Sequence, residues 1–522
     1  MAKTLSDLLK HLPWPPDDIT LALAQDIVIT NITDDSRQVQ PGSLFVAYIG
    51  VMSDLHKYIP QAIAKGAIAI VCERDWQLAL GDGRLEIGDL TAPIANLQSP
   101  NHLISKSPNS YIVPNGREAF AWLCAAWHDF PSRSMTLIGI TGTDGKTSTA
   151  NILFSILRAA GHKAGMISTV NAVIGERALD TGLHVTTPDA DDVQRYLAEM
   201  RTAGTTHCVL EVTSHGLAHH RVDGCDFDIA IVTNITHEHL DLHRTREAYR
   251  AAKGRLFEMA RQAAILNADD DYSFGYLKTI ARAPVLTYSR TQANADISAS
   301  ALRYLPGAMT FVAHTPSGDI EIRSRLIGDF NVSNILATLG AAHALGLAPE
   351  AIQRGIADLK GVSGRMERID AGQPYLAVVD FAHTPNSLEN CLRTLRKMTP
   401  GKLIVAFGCA GERDVIKRPQ MGRIAAECAD IVVITAEDPR RESLETIMDQ
   451  VEAGAAKTPA QMLRVPDRAE ALRIACSLAQ IGDTVVACGK GHEQSMCFGT
   501  EERPWDDRTA MREAIAWNEK RR

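Results

Sequence analysis

No Cys-x-x-Cys pair occurs among the ten cysteines of this 522-residue chain. Scattered single thiols exclude a zinc ribbon and a disulfide scaffold and fit a reducing compartment. Aromatic residues are scarce at 5%, while hydrophobic residues make up 45% and charged residues 22%. That balance excludes a disordered or fibrous chain and suits a globular α/β protein. No stretch reaches the roughly 18 apolar residues that span a bilayer. The start, Met1 to Asp7, leads into a polar, Pro-rich stretch without an apolar signal core, so a cytoplasmic protein is the expectation. No Lys/Arg block stands out and the formal charge is −8, which argues against nucleic-acid and membrane partners while leaving room for a local phosphate pocket.

The length is too great for one core. Three blocks can be drawn: 1–110, 111–361 and 362–522. The first mixes short apolar runs, such as Leu44–Ala47 and Ala67–Val71, with turns, and ends in a polar stretch, Gln98–Ser110, that reads as a linker. The second opens on Leu137-Ile138-Gly139-Ile140, a glycine-rich turn, and a helix whose Ile152, Leu153, Ile156 and Leu157 share a face up to Gly161. Continuous apolar runs at 208–210, 229–232 and 264–266 predict strands buried on both faces of a mostly parallel sheet. The third block alternates runs at 376–379, 403–407, 431–434 and 484–486 with helical stretches, predicting a smaller doubly wound, Rossmann-like domain.

The strongest local signal is Gly139-Ile140-Thr141-Gly142-Thr143-Asp144-Gly145-Lys146-Thr147. Glycines let backbone N–H groups close on phosphate oxygens at a helix N-terminus. Lys146 can reach the outer phosphates, and the Thr147 hydroxyl can help hold Mg²⁺. Ile140 stands at the first glycine position of the strict pattern, but the strand–loop–helix context predicts a nucleotide site.

Glu211 ends a predicted strand, where a carboxylate faces the ligand crevice of an α/β sheet. Thr233 to Asp241 places His237, Glu238, His239 and Asp241 in one loop. From the residues alone this cluster is a solvated loop, a zinc site or part of an ATP-metal site, the last being simplest beside a phosphate loop. Lys253 falls on the apolar face of a helix predicted over 247–259, with Tyr249, Leu256 and Phe257 beside it. There a lysine must snorkel, pair or be modified.

In sequence order these pieces resemble the Mur ligase family, in particular the branch that adds a diamino acid to a nucleotide-linked muramoyl dipeptide. Gly142-Thr143-Asp144-Gly145-Lys146-Thr147 is similar to its Gly-Thr-Asn-Gly-Lys-Thr motif, with Asp for Asn. Glu211-Val212-Thr213-Ser214-His215, Glu238-His239-Leu240-Asp241 and Ala251-Ala252-Lys253 match three more. Further matches lie at Asp35-Ser36-Arg37, Thr186-Thr187-Pro188-Asp189, Gly364-Arg365-Met366-Glu367, Asp380-Phe381-Ala382-His383-Thr384-Pro385, Lys417-Arg418-Pro419 and Gly489-Lys490-Gly491-His492-Glu493. The departures are Phe381 for Tyr, Asn386 for Asp, Ala410 for Gly and Leu55 for Gly.

The resemblance implies a uridine-diphosphate domain, a central ATPase domain and an amino-acid domain, with ATP and Mg²⁺ as cofactors and small molecules as the only partners of an expected monomer. It implies Lys146, Lys253 and His239 as catalytic, Lys253 being carbamylated. Thr147, Glu211, His239 and Lys253 would hold metal. ATP would contact Gly142 to Ser148 (Gly142, Thr143, Asp144, Gly145, Lys146, Thr147, Ser148), Asn267, Asn331, Arg365 and Asp380. Ser36, His56, Thr186, Thr187, Ser214, His215 and Arg221 would bind the muramoyl dipeptide. Arg413, Asp438, Arg440, Gly489 and Glu493 would bind the diamino acid. The expected chemistry activates the D-glutamate carboxylate as an acyl phosphate, then lets the amine displace phosphate.

Glu437-Asp438-Pro439-Arg440 resembles the Asp-Asn-Pro-Arg pocket motif of the family's diaminopimelate enzymes; the resemblance implies that Arg440 favours the distal carboxylate of meso-diaminopimelate, while Asp438, as in the Asp-Asp-Pro motifs of lysine types, suits an ammonium, as in lysine or ornithine. A bidentate guanidinium is the more specific feature, so meso-diaminopimelate is expected first. The alternatives are the lysine- or ornithine-adding version, or another ligase of the Mur or folylpolyglutamate type. Folate enzymes carry Gly-Lys-Gly at the loop. A non-catalytic nucleotide-binding partner would be expected to lose Lys146, Lys253 or His239, and none is lost.

Overall fold

The computed structural model describes residues 2–50, 53–75, 109–179, 186–236, 240–305, 308–455 and 458–519. Three α/β units follow one another, each built on its own mostly parallel sheet. The first has four parallel strands, Asn31–Thr33, Ser43–Ala47, Ala67–Cys72 and Asn109–Ile112, paired in that order. The last of these begins in the final two residues, Asn109 and Ser110, of the stretch read as a linker. Its residues are mostly exposed, so as an edge strand it carries no apolar run to reveal it. The helix Gly116–Trp127 then packs Phe120 and Leu123 against Leu44, Val46, Ala69 and Val71. The first packed unit therefore continues past residue 110.

The central sheet has eleven strands. Thr136–Thr141 lies at its heart, between His207–Glu211 on one side and Ile229–Val232 on the other, all parallel. Ala164–Ile167 extends one wing; Ala263–Asn267 and Val285–Ser289 extend the other. The chain thus reverses direction across the sheet at Thr136–Thr141, and the C-terminal ends of these strands, where Thr141, Glu211 and Thr233 lie, form the crevice in which open α/β sheets bind ligands. Beyond Val285–Ser289 an antiparallel extension, Ile297–Leu305, Ala308–Thr315 and Gly318–Ser324, completes one edge.

Helices cover both faces. Lys146–Ala159 buries Ile152, Leu153, Ile156 and Leu157 as its spacing predicts, and Pro349–Asp358 packs closely on it: a Cβ on Gly355 would lie 2.5 Å from Ile156 Cα. On the other face Arg246–Met259 buries Tyr249, Lys253, Leu256 and Phe257. Gly139 admits that helix, since a Cβ there would meet Leu256 and Phe227 at 2.8 Å. A glycine in the central strand thereby brings Lys253 to the loop that the same strand feeds.

The last unit has six strands in the order Glu367–Ile369, Leu376–Asp380, Thr484–Cys488, Leu403–Phe407, Ile431–Ile434 and Gln461–Arg464, parallel except the first. A buried pair, Arg468 and Asp507 (2.6 Å), braces it. Arg468 also donates to Ala436 O and Cys488 O, fixing the ends from which two site loops leave. No described helix is long and apolar enough to cross a membrane.

Candidate active site

The phosphate loop joins Thr136–Thr141 to the helix starting at Lys146. Gly142 (φ 148°) and Gly145 (φ 88°) take backbone conformations that L side chains resist. Space is missing too: a Cβ would lie 1.9 Å from Thr233 Oγ1 at Gly142 and 2.5 Å from Asn334 Oδ1 at Gly145. Asn234 and Thr233 clamp the loop. Thr143 N donates to Asn234 O (2.7 Å), Asp144 N donates to Asn234 Oδ1 (3.1 Å), and Thr233 Oγ1 donates to Asp144 O (2.6 Å).

Two ammonium groups converge on this loop. Lys146 Nζ donates to Gly142 O (2.9 Å) and Thr143 O (2.8 Å), and Lys253 Nζ donates to Gly142 O (2.7 Å). Lys253 is buried and lies 4.6 Å from the Tyr249 ring centre, while the Tyr249 hydroxyl pairs with Thr143 Oγ1 (3.0 Å). Positive charge and a helix N-terminus on one glycine loop make an anion receptor.

Glu211, fully buried at its strand end, faces that receptor. Its carboxylate accepts from Thr147 Oγ1 (3.0 Å), Thr169 Oγ1 (3.0 Å) and Thr169 N (3.1 Å). Burial pushes its pKa up, while Lys146 and Arg365 pull it down. A carboxylate and hydroxyls beside a phosphate loop form the hard oxygen donor set that suits a magnesium ion. His239 lies outside the described residues. Arg365 enters from the last unit, its Nη2 3.4 Å from Thr147 Oγ1 and its guanidinium 4.5 Å from the Phe381 ring centre. Phe381 thus offers a stacking face without a hydroxyl. Asp380 is buried, accepts from Met366 N (2.6 Å) and Ala382 N (2.9 Å), and is pushed up by burial against the pull of Arg365.

Ser148 is buried in the first turn after the loop. Asn267 and Asn331 are bound within the protein: Asn267 Nδ2 donates to Thr233 O (2.6 Å), Asn331 Nδ2 to Ile327 O (2.9 Å), and Asn331 Oδ1 accepts from Asn334 (3.1 Å). Asn334, which also packs on Gly145, was not singled out in the sequence. A second asparagine three residues on, inside an almost wholly buried helix, is the signal that could have found it.

The residues expected to hold the muramoyl dipeptide fall in two groups. Thr186, Thr187, Ser214, His215 and Arg221 gather around Glu211. Thr187 Oγ1 donates to Glu211 O (3.0 Å), Thr169 Oγ1 donates to Thr186 Oγ1 (3.1 Å), and Arg221 Nη1 donates to Thr187 O (2.7 Å). Among the described residues Ser214 Oγ, which is buried, has no hydrogen-bond partner, and His215 lies 6.2 Å, ring to ring, from His219. Burial, with Arg117 and Arg221, lowers His219 to about 4. Ser36 and His56 sit in the first unit. Ser36 Oγ donates to Gln61 Oε1 (2.9 Å), and both His56 nitrogens are taken, Nδ1 by Asp54 (2.6 Å) and Nε2 by Glu73 N–H (3.1 Å).

In the last unit, Asp438 is not the bare charge that its sequence context suggests. Lys490 Nζ, fully buried, donates to both its oxygens (2.9 Å each), and Cys497 N donates to Oδ1 (2.9 Å). Glu493 Oε2 also contacts Lys490 Nζ, at 2.7 Å. Burial opposes the Lys490 charge, but Glu493 and Asp438 outweigh it and raise its pKa. Asp438 therefore already holds an ammonium, which it shares with Glu493.

The Arg440 guanidinium has no hydrogen bond or ion pair with any described residue; only its backbone is tied, to Cys497 O (3.1 Å) and Gly499 N (2.7 Å). Gly489 (φ 111°) leaves room for Glu437, whose Oε2 would lie 2.1 Å from a Cβ there. Burial drives Glu437 up to about 7, against Lys417, Arg468 and Lys490. Arg413 is exposed, two residues beyond Gly411, whose N–H donates to Asp438 O (2.9 Å). Lys490 and Cys497 are the participants to which sequence spacing assigned no role.

Three family descriptions match the sequence along the chain: "Mur ligase family, catalytic domain" over 28–128, "Mur ligase middle domain" over 140–342 and "Mur ligase, glutamate ligase domain" over 364–491. Among similar curated proteins is a UDP-N-acetylmuramyl-tripeptide synthetase of Roseiflexus sp. (strain RS-1), 41% identical, with 98% of each chain covered. Another is a UDP-N-acetylmuramoyl-L-alanyl-D-glutamate–2,6-diaminopimelate ligase of Geobacillus kaustophilus (strain HTA426), 38% identical, covering 98% of this chain and 99% of that one. A solved structure of a ligase of the latter name superposes with a TM-score of 0.67 at 29% identity, covering 99% of this chain and all of the other. The chain belongs to the Mur ligase family.

Proposed function

We propose that the chain is the ATP-dependent ligase that adds meso-diaminopimelate to the D-glutamyl carboxylate of UDP-N-acetylmuramoyl-L-alanyl-D-glutamate, a cytoplasmic step of peptidoglycan precursor synthesis. The relatives' names support the reaction class. The observation that carries the choice of amino acid is the contrast between Asp438, engaged by Lys490, and Arg440, whose guanidinium bonds none of the described residues. Such a guanidinium fits a carboxylate bidentately, whereas an aspartate already holding an ammonium has little left for a second.

Lys146 and the N–H groups at the start of the helix that it opens hold the ATP phosphates, and Arg365, stacked on Phe381, adds positive charge from the last unit. The glutamyl carboxylate attacks the γ-phosphorus and ADP leaves; the diamino acid's amine then attacks the acyl phosphate carbon, losing a proton as phosphate departs. Thr147 and Glu211, with His239 and a carbamylated Lys253, would hold Mg²⁺, which when bound supplies neutralisation of phosphate charge. Carbamylation would replace the buried ammonium of Lys253 by an anionic oxygen ligand. Raised by burial, Glu437 lies near Gly489 and Glu493, where it can influence the amine's protonation.

The test is ATP-dependent phosphate release with the UDP-muramoyl dipeptide, offering meso-diaminopimelate, L-lysine and L-ornithine separately, with the product mass confirmed. Turnover confined to diaminopimelate is expected. Preference for lysine or ornithine would overturn the choice of amino acid, and silence with all three would overturn the reaction.

A further inference from the structure

The phosphate loop carries a group of the wrong sign. Asp144 lies between Thr143 and Gly145, where a carboxylate aimed at bound phosphates would repel them. Its backbone is held by Asn234 and Thr233 on both its N–H and its carbonyl. Across the crevice, Asn386 Nδ2 donates to Asp144 Oδ2 at 2.7 Å, joining residues 242 positions apart in two different sheet units.

Asn386 is rigidly presented. It is the second residue of the helix Pro385–Met398, whose Thr384 cap forms a capping box with Ser387. The positive end of that helix therefore receives the Asp144 carboxylate. The other end of the same helix is tied to the central unit as well, through Lys397 Nζ and Asp329 Oδ2 (3.0 Å).

We propose that Asp144 and Asn386 form a latch that couples docking of the last domain to nucleotide binding. When the helix Pro385–Met398 is seated, Asn386 holds the loop's own carboxylate toward that helix and away from the phosphates. When it is not, the loop presents a charge that opposes them. Both are positioning residues; neither touches a reacting atom. The latch rests on the phosphate-loop assignment of the proposed function but not on the identity of the diamino acid.

The experiment is a double-mutant cycle in the full chain. Asn386→Asp sets two carboxylates against each other, Asp144→Asn leaves two amides, and the double variant restores an acid–amide pair in the reverse sense. The readouts are calorimetric affinity for a non-hydrolysable ATP analogue and the KM for ATP against kcat. Asn386→Asp should weaken analogue binding and raise the KM by about tenfold, and the double variant should return to within about threefold of the parent. An acid in the first turn of a helix favours that helix, so Asn386→Asp is expected to fold, and thermal denaturation checks this. A double variant no better than Asn386→Asp, or Asn386→Asp indistinguishable from the parent, overturns the latch alone. A parent chain that binds no nucleotide overturns both the latch and the proposed reaction.

Discussion

Replacing Arg440 by methionine isolates the selection of the amino acid. The guanidinium makes no hydrogen bond or ion pair with a described residue, and the backbone bonds of residue 440 to Cys497 and Gly499 survive the change. The melting temperature should therefore stay at the parental value. The substrate's distal carboxylate loses its partner, and hydrogen bonds to charged groups contribute about 1.5–3 kcal/mol. At about 1.4 kcal/mol per factor of ten, that is roughly a 10- to 150-fold fall in kcat/KM for meso-diaminopimelate. The assay is phosphate release across a range of diaminopimelate and L-lysine concentrations at saturating ATP. The loss should fall on diaminopimelate, since lysine offers Arg440 no carboxylate at that end. Asp438→Asn is the companion: with Lys490 already covering the carboxylate, it should keep the preference for diaminopimelate. An equal loss with both amino acids in Arg440→Met, or a switch of preference in Asp438→Asn, would refute this account of the pocket.

Lys253→Ala should abolish turnover, and added bicarbonate should not restore it; full activity in that variant would end the carbamate assignment. Glu211→Gln should retain the fold, since Thr147 and Thr169 can still bond an amide, but should lower kcat by more than about 100-fold and raise the magnesium concentration needed for half-maximal rate. Burial keeps Glu437 protonated up to about 7 in the folded chain against an ordinary 4.5. Its contribution to stability is thus full below about 4.5 and is lost as pH rises through about 7. Glu437→Gln should reduce the fall in melting temperature between pH 5 and pH 8, and an unchanged pH profile would count against the raised value.

Much of the framework was legible because it is local. Buried parallel strands show as continuous apolar runs, and those at 137–140, 208–210, 229–232, 403–407 and 484–486 all lie in strands. The helical period around Lys253 places that lysine on the buried face, and the glycines of the loop declare a backbone that only glycine tolerates. The edge strand Asn109–Ile112 was not legible, because it starts in the polar Asn109-Ser110 that closes the stretch read as a linker and is too exposed to carry a buried apolar run. The wall of the loop formed by Asn334 was legible only as a second asparagine beside Asn331; its packing against Gly145, far away in sequence, was not.

Charge is where sequence spacing misleads most, because an ion's effect depends on what sits opposite it. Asp438 reads as an ammonium receptor until Lys490, 52 residues away, is found on both its oxygens. Asp144 reads from sequence as one more residue of a phosphate loop until Asn386 is found against its carboxylate. In each case the odd residue is balanced by a group from another loop or another domain, and neither partner carries a local pattern that points to the other. An unexpected charge in a binding motif is therefore best treated as a search for its partner across the fold. Here that search turns Asp438 from an argument for lysine into a reason to assign the selection to Arg440.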